Sequence, residues 1–72
     1  MSFYQFMLKF KDSSEREMLS RLATIMHRDI QFPKQAEEFD QVSSYLESNS
    51  EYSTYLSTFD QAWQLYQVDT SY

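Results

Sequence analysis

The chain carries 72 residues, with 11 acids against six bases (net charge −5), six Phe, six Tyr and one Trp, and neither cysteine nor glycine. That length supports one hydrophobic core and no second domain. The lack of cysteine excludes a disulfide framework and a thiolate metal site, the single histidine excludes a His-rich zinc site, and the lack of glycine excludes Gly-rich phosphate loops. The aromatic mass suits a packed core and argues against disorder, since each large ring buries roughly 150–250 Å². No segment reaches the roughly 20 apolar residues that cross a bilayer. The N-terminus lacks a basic leader and a small-residue cleavage site, so a cytoplasmic location is expected.

Charge is unevenly spread. Lys9, Lys11, Arg16, Arg21, Arg28 and Lys34 all fall within residues 1–34, which also hold four acids, for a net of +2. Residues 35–72 hold seven acids and no base, a net of −7. Asymmetry of this kind can mark an interaction surface.

Helix signals dominate the chain. Ser2-x-x-Gln5 fits a capping box. Phe3, Phe6, Met7 and Phe10 then recur at spacings of three and four, widened by Tyr4 and Leu8, which predicts a first helix at about 3–11. Lys11-Asp12-Ser13 reads as a connection, and Ser14-x-x-Glu17 as a second capping box. A stripe of Met18, Leu19, Leu22, Ala23, Ile25 and Met26 predicts a helix at about 15–28. Glu17 and Arg21 form an i,i+4 pair on its other face, and Arg28 follows Arg21 by one heptad.

Pro33 disfavours helical geometry at Phe32, so 30–33 is the main break, with Ile30 and Phe32 expected to tuck inward. A third helix is predicted at about 36–48, with Phe39, Val42, Tyr45 and Leu46 inward and Glu37 and Glu38 in its first turn. Asn49 is expected to close it in left-handed geometry, and Ser50 to cap the next helix. Tyr52, Tyr55, Leu56, Phe59, Ala62, Trp63 and Tyr66 hold helical spacing. Periodicity alone gives one helix over about 51–68; a capping box at Thr58-x-x-Gln61 gives two, at about 51–57 and 59–68, and a break that wraps both around a small core favours two. The fold expected is all-α, a compact four- or five-helix bundle in one domain. Its expected core is Phe3, Phe6, Phe10, Leu19, Leu22, Met26, Phe39, Leu46, Phe59 and Trp63.

Four stretches in order carry a resemblance: Ser2-Phe3-Tyr4; Phe32-Pro33-Lys34; Ser43-Ser44-Tyr45-Leu46-Glu47; and Thr58-Phe59-Asp60-x-Ala62-Trp63-x-x-Tyr66. Together they resemble the YozE-like family of short proteins from Gram-positive Firmicutes. The resemblance spans nearly the whole chain and implies a bundle similar to the sterile alpha motif fold. It implies no particular activity and brings no catalytic or ligand residues with it.

The residues themselves offer little chemistry. Acid–base catalysis needs paired groups in a pocket, and His27 reads as a boundary histidine beside an apolar stripe. No catalytic residue, cofactor, metal or small-molecule substrate is therefore expected, and no membrane partner. Glu37, Glu38 and Asp40 fall short of the six to eight oxygens of a calcium shell and read as a solvated helix start. Aromatic platforms for single-stranded nucleic acid need interleaved bases. Lys9 and Lys11 flank Phe10 in this way, but no base occurs from Tyr52 onward. Two surfaces are left as candidates: a basic patch of Lys9, Lys11, Arg21, Arg28 and Lys34, and an acidic one of Glu37, Glu38, Asp40 and Glu47. The reading is a small interaction module, binding a protein partner or itself, with nucleic-acid binding through the N-terminal bases as the alternative. Opposed to both stands simple neutralisation of these bases by the molecule's own acidic half.

Overall fold

A computed structural model describes residues 1–70. Four α-helices and one 3₁₀ segment follow in order: α1 (Phe3–Leu8), α2 (Glu17–Arg28), α3 (Phe39–Glu47), the 3₁₀ turn Ser50–Tyr55, and α4 (Leu56–Thr70). The Cα radius of gyration is 11.1 Å, matching the about 11 Å of a well-packed chain this long.

The first capping box forms as the sequence predicts. Ser2 Oγ accepts from the Gln5 N–H at 3.2 Å, and Gln5 Oε1 accepts from the Ser2 N–H at 3.1 Å. The helix stops at Leu8 rather than near 11, because the next amides bond three residues back: Phe10 N–H to the Met7 carbonyl and Lys11 N–H to that of Leu8. The second box does not form. α2 opens at Glu17 behind Arg16, which makes no side-chain cap. The connection is held instead by Ser20 Oγ, which donates to the Lys11 carbonyl at 2.7 Å.

Ile30 does not tuck inward; it is 87% exposed. The Phe32 N–H bonds to the Asp29 carbonyl, closing a four-residue turn that puts Ile30 at its corner. Phe32 is buried as expected, beside Tyr45 and Tyr4. α3 starts at Phe39, not 36, since Glu38 is extended and Ala36 N–H closes a turn on Pro33. The Ala36 carbonyl accepts from the Phe3 N–H at 3.2 Å and fastens this segment to the N-terminus. Glu37 and Glu38 therefore precede the helix, and Asp40 is the acid of its first turn.

Asn49 is not left-handed; its φ is −122°, and no described residue has positive φ. Side chains close α3 instead: Asn49 Nδ2 donates to the Tyr45 carbonyl, and Ser48 Oγ to those of Ser44 and Tyr45. Ser50 makes no cap, being the first residue of the 3₁₀ turn. A break does divide the C-terminal stretch, but between Tyr55 and Leu56, where 3₁₀ passes into α; Thr58 lies buried inside α4 and caps nothing.

The core is one cluster centred on Phe3, whose ring lies 5.0 Å from Trp63 and 5.5 Å from both Phe59 and Tyr66. Eight of the ten expected core residues are in it; Phe10 is half-buried and Phe39 is 41% exposed. Phe39 instead lays its ring against Phe59 at 5.4 Å, with its other side outward. The sequence reading missed Tyr52 and Tyr66 as core residues, both of which are buried with their hydroxyls bonded. Met18 and Leu8 turn out to lie at the edge of the apolar face and are partly exposed.

Candidate interaction surfaces

The bases expected to form one stripe fall into separate groups. Arg21 and Arg28 are exposed on α2, with Arg21 paired to Glu17 one turn earlier. Arg28 lies in the last turn, where a cation complements the helix dipole. Lys34 approaches the Tyr4 ring at 5.5 Å, and the Tyr4 hydroxyl lies 3.3 Å from His27 Nδ1, which brings Lys34 towards the C-terminal end of α2. Lys9 belongs elsewhere. Its ammonium sits 4.3 Å above the Phe6 ring and 3.7 Å from Asp69 of α4. With Phe10, Arg16 and Leu65 these residues line a shallow cleft of about 370 Å³. Lys11 is half-buried and makes no ion pair among the described residues.

On the acidic side, Glu37 lies 3.8 Å from the N-terminal ammonium. Glu37 and Glu38 rim a cleft of about 530 Å³ floored by Phe39, Trp63 and Tyr66. Burial pushes the Tyr66 hydroxyl pKa up, and the nearby Glu37 and Glu38 carboxylates push it further. That hydroxyl donates to the Met1 carbonyl at 2.6 Å. Asp40 and Glu47 lie exposed at opposite ends of α3, outside the cleft.

Asp29, which the sequence reading passed over, organises the middle of the molecule. Its Oδ2 accepts from the Tyr45 hydroxyl at 2.5 Å and from the Tyr52 hydroxyl at 2.7 Å, and its Oδ1 from the Gln31 N–H at 3.1 Å. One carboxylate thus ties the end of α2 to α3 and to the 3₁₀ turn. Burial opposes its charge, but the two hydroxyls, the Gln31 amide and Lys34 outweigh it and hold the pKa below 3.8. For Tyr45, burial and the bond to Asp29 push the pKa up to about 12; Tyr52, fully buried, is pushed higher still. The Asx turn at Asp29 has a local signature in Asp29-Ile30-Gln31, whereas partners 16 and 23 residues away have none.

A third cleft, of about 300 Å³, lies at the corner after α2, lined by Arg28, Asp29, Ile30 and Glu51 among others. Among the described residues, none that lines the three clefts is a serine, threonine, cysteine or histidine. Among the described residues no group of three or more His, Cys, Asp or Glu could hold a metal ion, and no helix is long and apolar enough to cross a membrane.

Comparison with known proteins matches this sequence to a family. The family model for the YozE SAM-like fold covers residues 2–68. A UPF0346 protein of Bacillus cereus is 43% identical over 68 residues, spanning 94% of each chain. The UPF0346 protein YozE of Bacillus subtilis is 36% identical over 68 residues, covering 94% of this chain and 92% of its own. A UPF0346 protein of Limosilactobacillus reuteri is 39% identical over 66 residues, covering 92% and 90%. No solved structure matches. With the four stretches noted in the sequence all inside the matched span, the chain belongs to the YozE SAM-like fold family.

Proposed function

We propose that this chain is a small, non-catalytic module that binds a protein partner through the basic face of α2, with its acidic segment as the complementary surface. One observation carries the reading. Among the described residues, Lys9 is the one basic side chain of the six that pairs with a carboxylate of the acidic segment, at Asp69. Neutralisation within the molecule therefore leaves most of the asymmetry intact: Arg28, Glu38, Asp40 and Glu47 enter no ion pair among the described residues. Opposed charge on two surfaces of one small protein supports fast, selective association more than raw affinity.

The test is capture from bacterial extract on the immobilised protein, with the Arg21→Glu/Arg28→Glu variant beside it. The reading expects a protein retained by the parent, released by salt and lost on the variant. Equal capture by both eliminates it. Retention of an oligonucleotide with affinity that falls steeply with salt would replace it with nucleic-acid binding.

A further inference from the structure

We propose that the partner surface is a second copy of this chain, docked head to tail, with the Arg28–Ile30 corner of one copy seated in the cleft formed by Glu37, Glu38, Phe39 and Trp63 of the next. The inference rests on the interaction reading above and supplies its occupant.

Each half of the contact is incomplete alone. Ile30 is the most exposed large hydrophobic residue described, at 87%, held out by the turn that begins at Asp29. Beside it, Arg28 has no ion-pair partner among the described residues. The corner thus offers an apolar knob next to a guanidinium. The cleft offers the reverse chemistry: Phe39, 41% exposed, next to Trp63 and under two carboxylates, of which Glu37 also faces the N-terminal ammonium at 3.8 Å and Glu38 enters no ion pair among the described residues. A guanidinium stacks on aromatic faces and pairs with carboxylates at once, more readily than an ammonium does. Asp29, on the same corner, stays ionised but turns its charge towards Tyr45 and Tyr52. Glu51 lines the corner too, so one guanidinium stands beside two carboxylates; the attraction is local to Arg28, burial of Ile30 carries most of the driving force, and salt weakens the contact without abolishing it.

Knob and cleft share no residue. Such a contact is heterologous, so a chain of copies leaves a knob open at one end and a cleft at the other, and assembly continues into a ring or filament. The patches are small, which places the association in the weak class that appears only at high protein concentration.

Sedimentation velocity of the full chain over a wide concentration range reads this directly. The weight-average mass should climb above the 8.7 kDa monomer as concentration rises. Ile30→Asp removes the knob at a position that contributes nothing to the core, and Glu37→Lys/Glu38→Lys reverses the cleft; a melt of each confirms its fold. Each variant alone should associate at least about tenfold more weakly. Mixed together, they retain one intact knob and one intact cleft, and should form a one-to-one dimer that does not grow. A parent that stays monomeric at every concentration overturns the proposal, as does association untouched by both variants. A mixture that fails to recover shows a symmetric contact and overturns it as well. A monomer that still captures a protein through Arg21 and Arg28 refutes only this inference; loss of both results refutes the broader reading.

Discussion

Replacing Asp29 by asparagine keeps the shape of the side chain and removes its charge. In the parent, one carboxylate oxygen accepts from both Tyr45 and Tyr52, and the other from the Gln31 amide. A hydrogen bond to a charged group contributes about 1.5–3 kcal/mol net, against about 0.5–1.5 for a neutral one, so the two tyrosine bonds together lose about 2–3 kcal/mol. The amide also has a single oxygen. If it serves the hydroxyls, its NH₂ faces the Gln31 N–H; if it serves Gln31, the NH₂ faces two hydroxyls. Either arrangement adds a misfit of about 1 kcal/mol. A total near 3 kcal/mol is large against the about 4–11 kcal/mol expected for a 72-residue domain.

Thermal unfolding followed by far-ultraviolet circular dichroism at neutral pH should show Asp29→Asn melting roughly 10–20 °C below the parent. Tyr52→Phe combined with Asp29→Asn should cost less than the two separately, because they remove one shared bond. The acid limb gives an independent check. The folded-state pKa of Asp29 is depressed, so its contribution is present above the unfolded value near 3.8 and is lost as pH falls through the lower folded value. The parent should therefore lose stability more steeply than Asp29→Asn below about pH 4. A variant that melts within a few degrees of the parent, with the same acid limb, refutes the idea that this carboxylate joins three elements.

The alkaline limb should be steep as well. Tyr45 and Tyr52 have raised pKa values, so their stabilisation is complete below the usual 10 and is lost as pH climbs towards the folded values. Together they withdraw about 3 kcal/mol per pH unit above 10; ionisation of Tyr45 and Tyr52, followed residue by residue by NMR, and circular dichroism should change in one cooperative step, and ionisation of these two near pH 10 without unfolding would contradict it. Trp63→Ala opens a hole beside Phe3 and Tyr66 and should cost about 3–5 kcal/mol, whereas Ile30→Ser should stay within about 0.5 kcal/mol because its side chain is already in water; calorimetric melts separate the two. Lys9→Met breaks a half-exposed pair with Asp69 and should shift stability by less than about 1 kcal/mol, with the difference shrinking in high salt.

What the sequence could and could not reveal divides along the range of the interactions involved. The apolar spacing that placed α2 and the core positions Phe3, Leu22, Phe59 and Trp63 is written within single helices. The Ser2–Gln5 box is equally local, and it forms. The other boxes had the same letters and failed, because each serine or threonine met a different surrounding. Ser14 stands ahead of a residue that is not yet helical, and Thr58 is enclosed within α4. Capping letters mark where a helix can start; packing decides whether the chain arrives there in the right geometry.

The same division explains the candidate surfaces. One-heptad spacing placed Arg21 and Arg28 on the outer face of α2, and both are exposed there. Grouping Lys9 with them required the packing of α1 on α4, which put that ammonium over Phe6 and beside Asp69. Asp29 and Ile30 show the limit most sharply. They are neighbours in sequence, and hydropathy alone would bury the isoleucine and expose the aspartate. The turn does the reverse: Asp29 faces inward because Tyr45, Tyr52 and the Gln31 amide satisfy its charge. Having fixed that carboxylate inside, the turn leaves its corner residue outside, next to Arg28. The tie that stabilises the fold is thus also what presents Ile30 to solvent, so loosening it through Asp29→Asn should weaken self-association along with stability, while Ile30→Asp should weaken association alone.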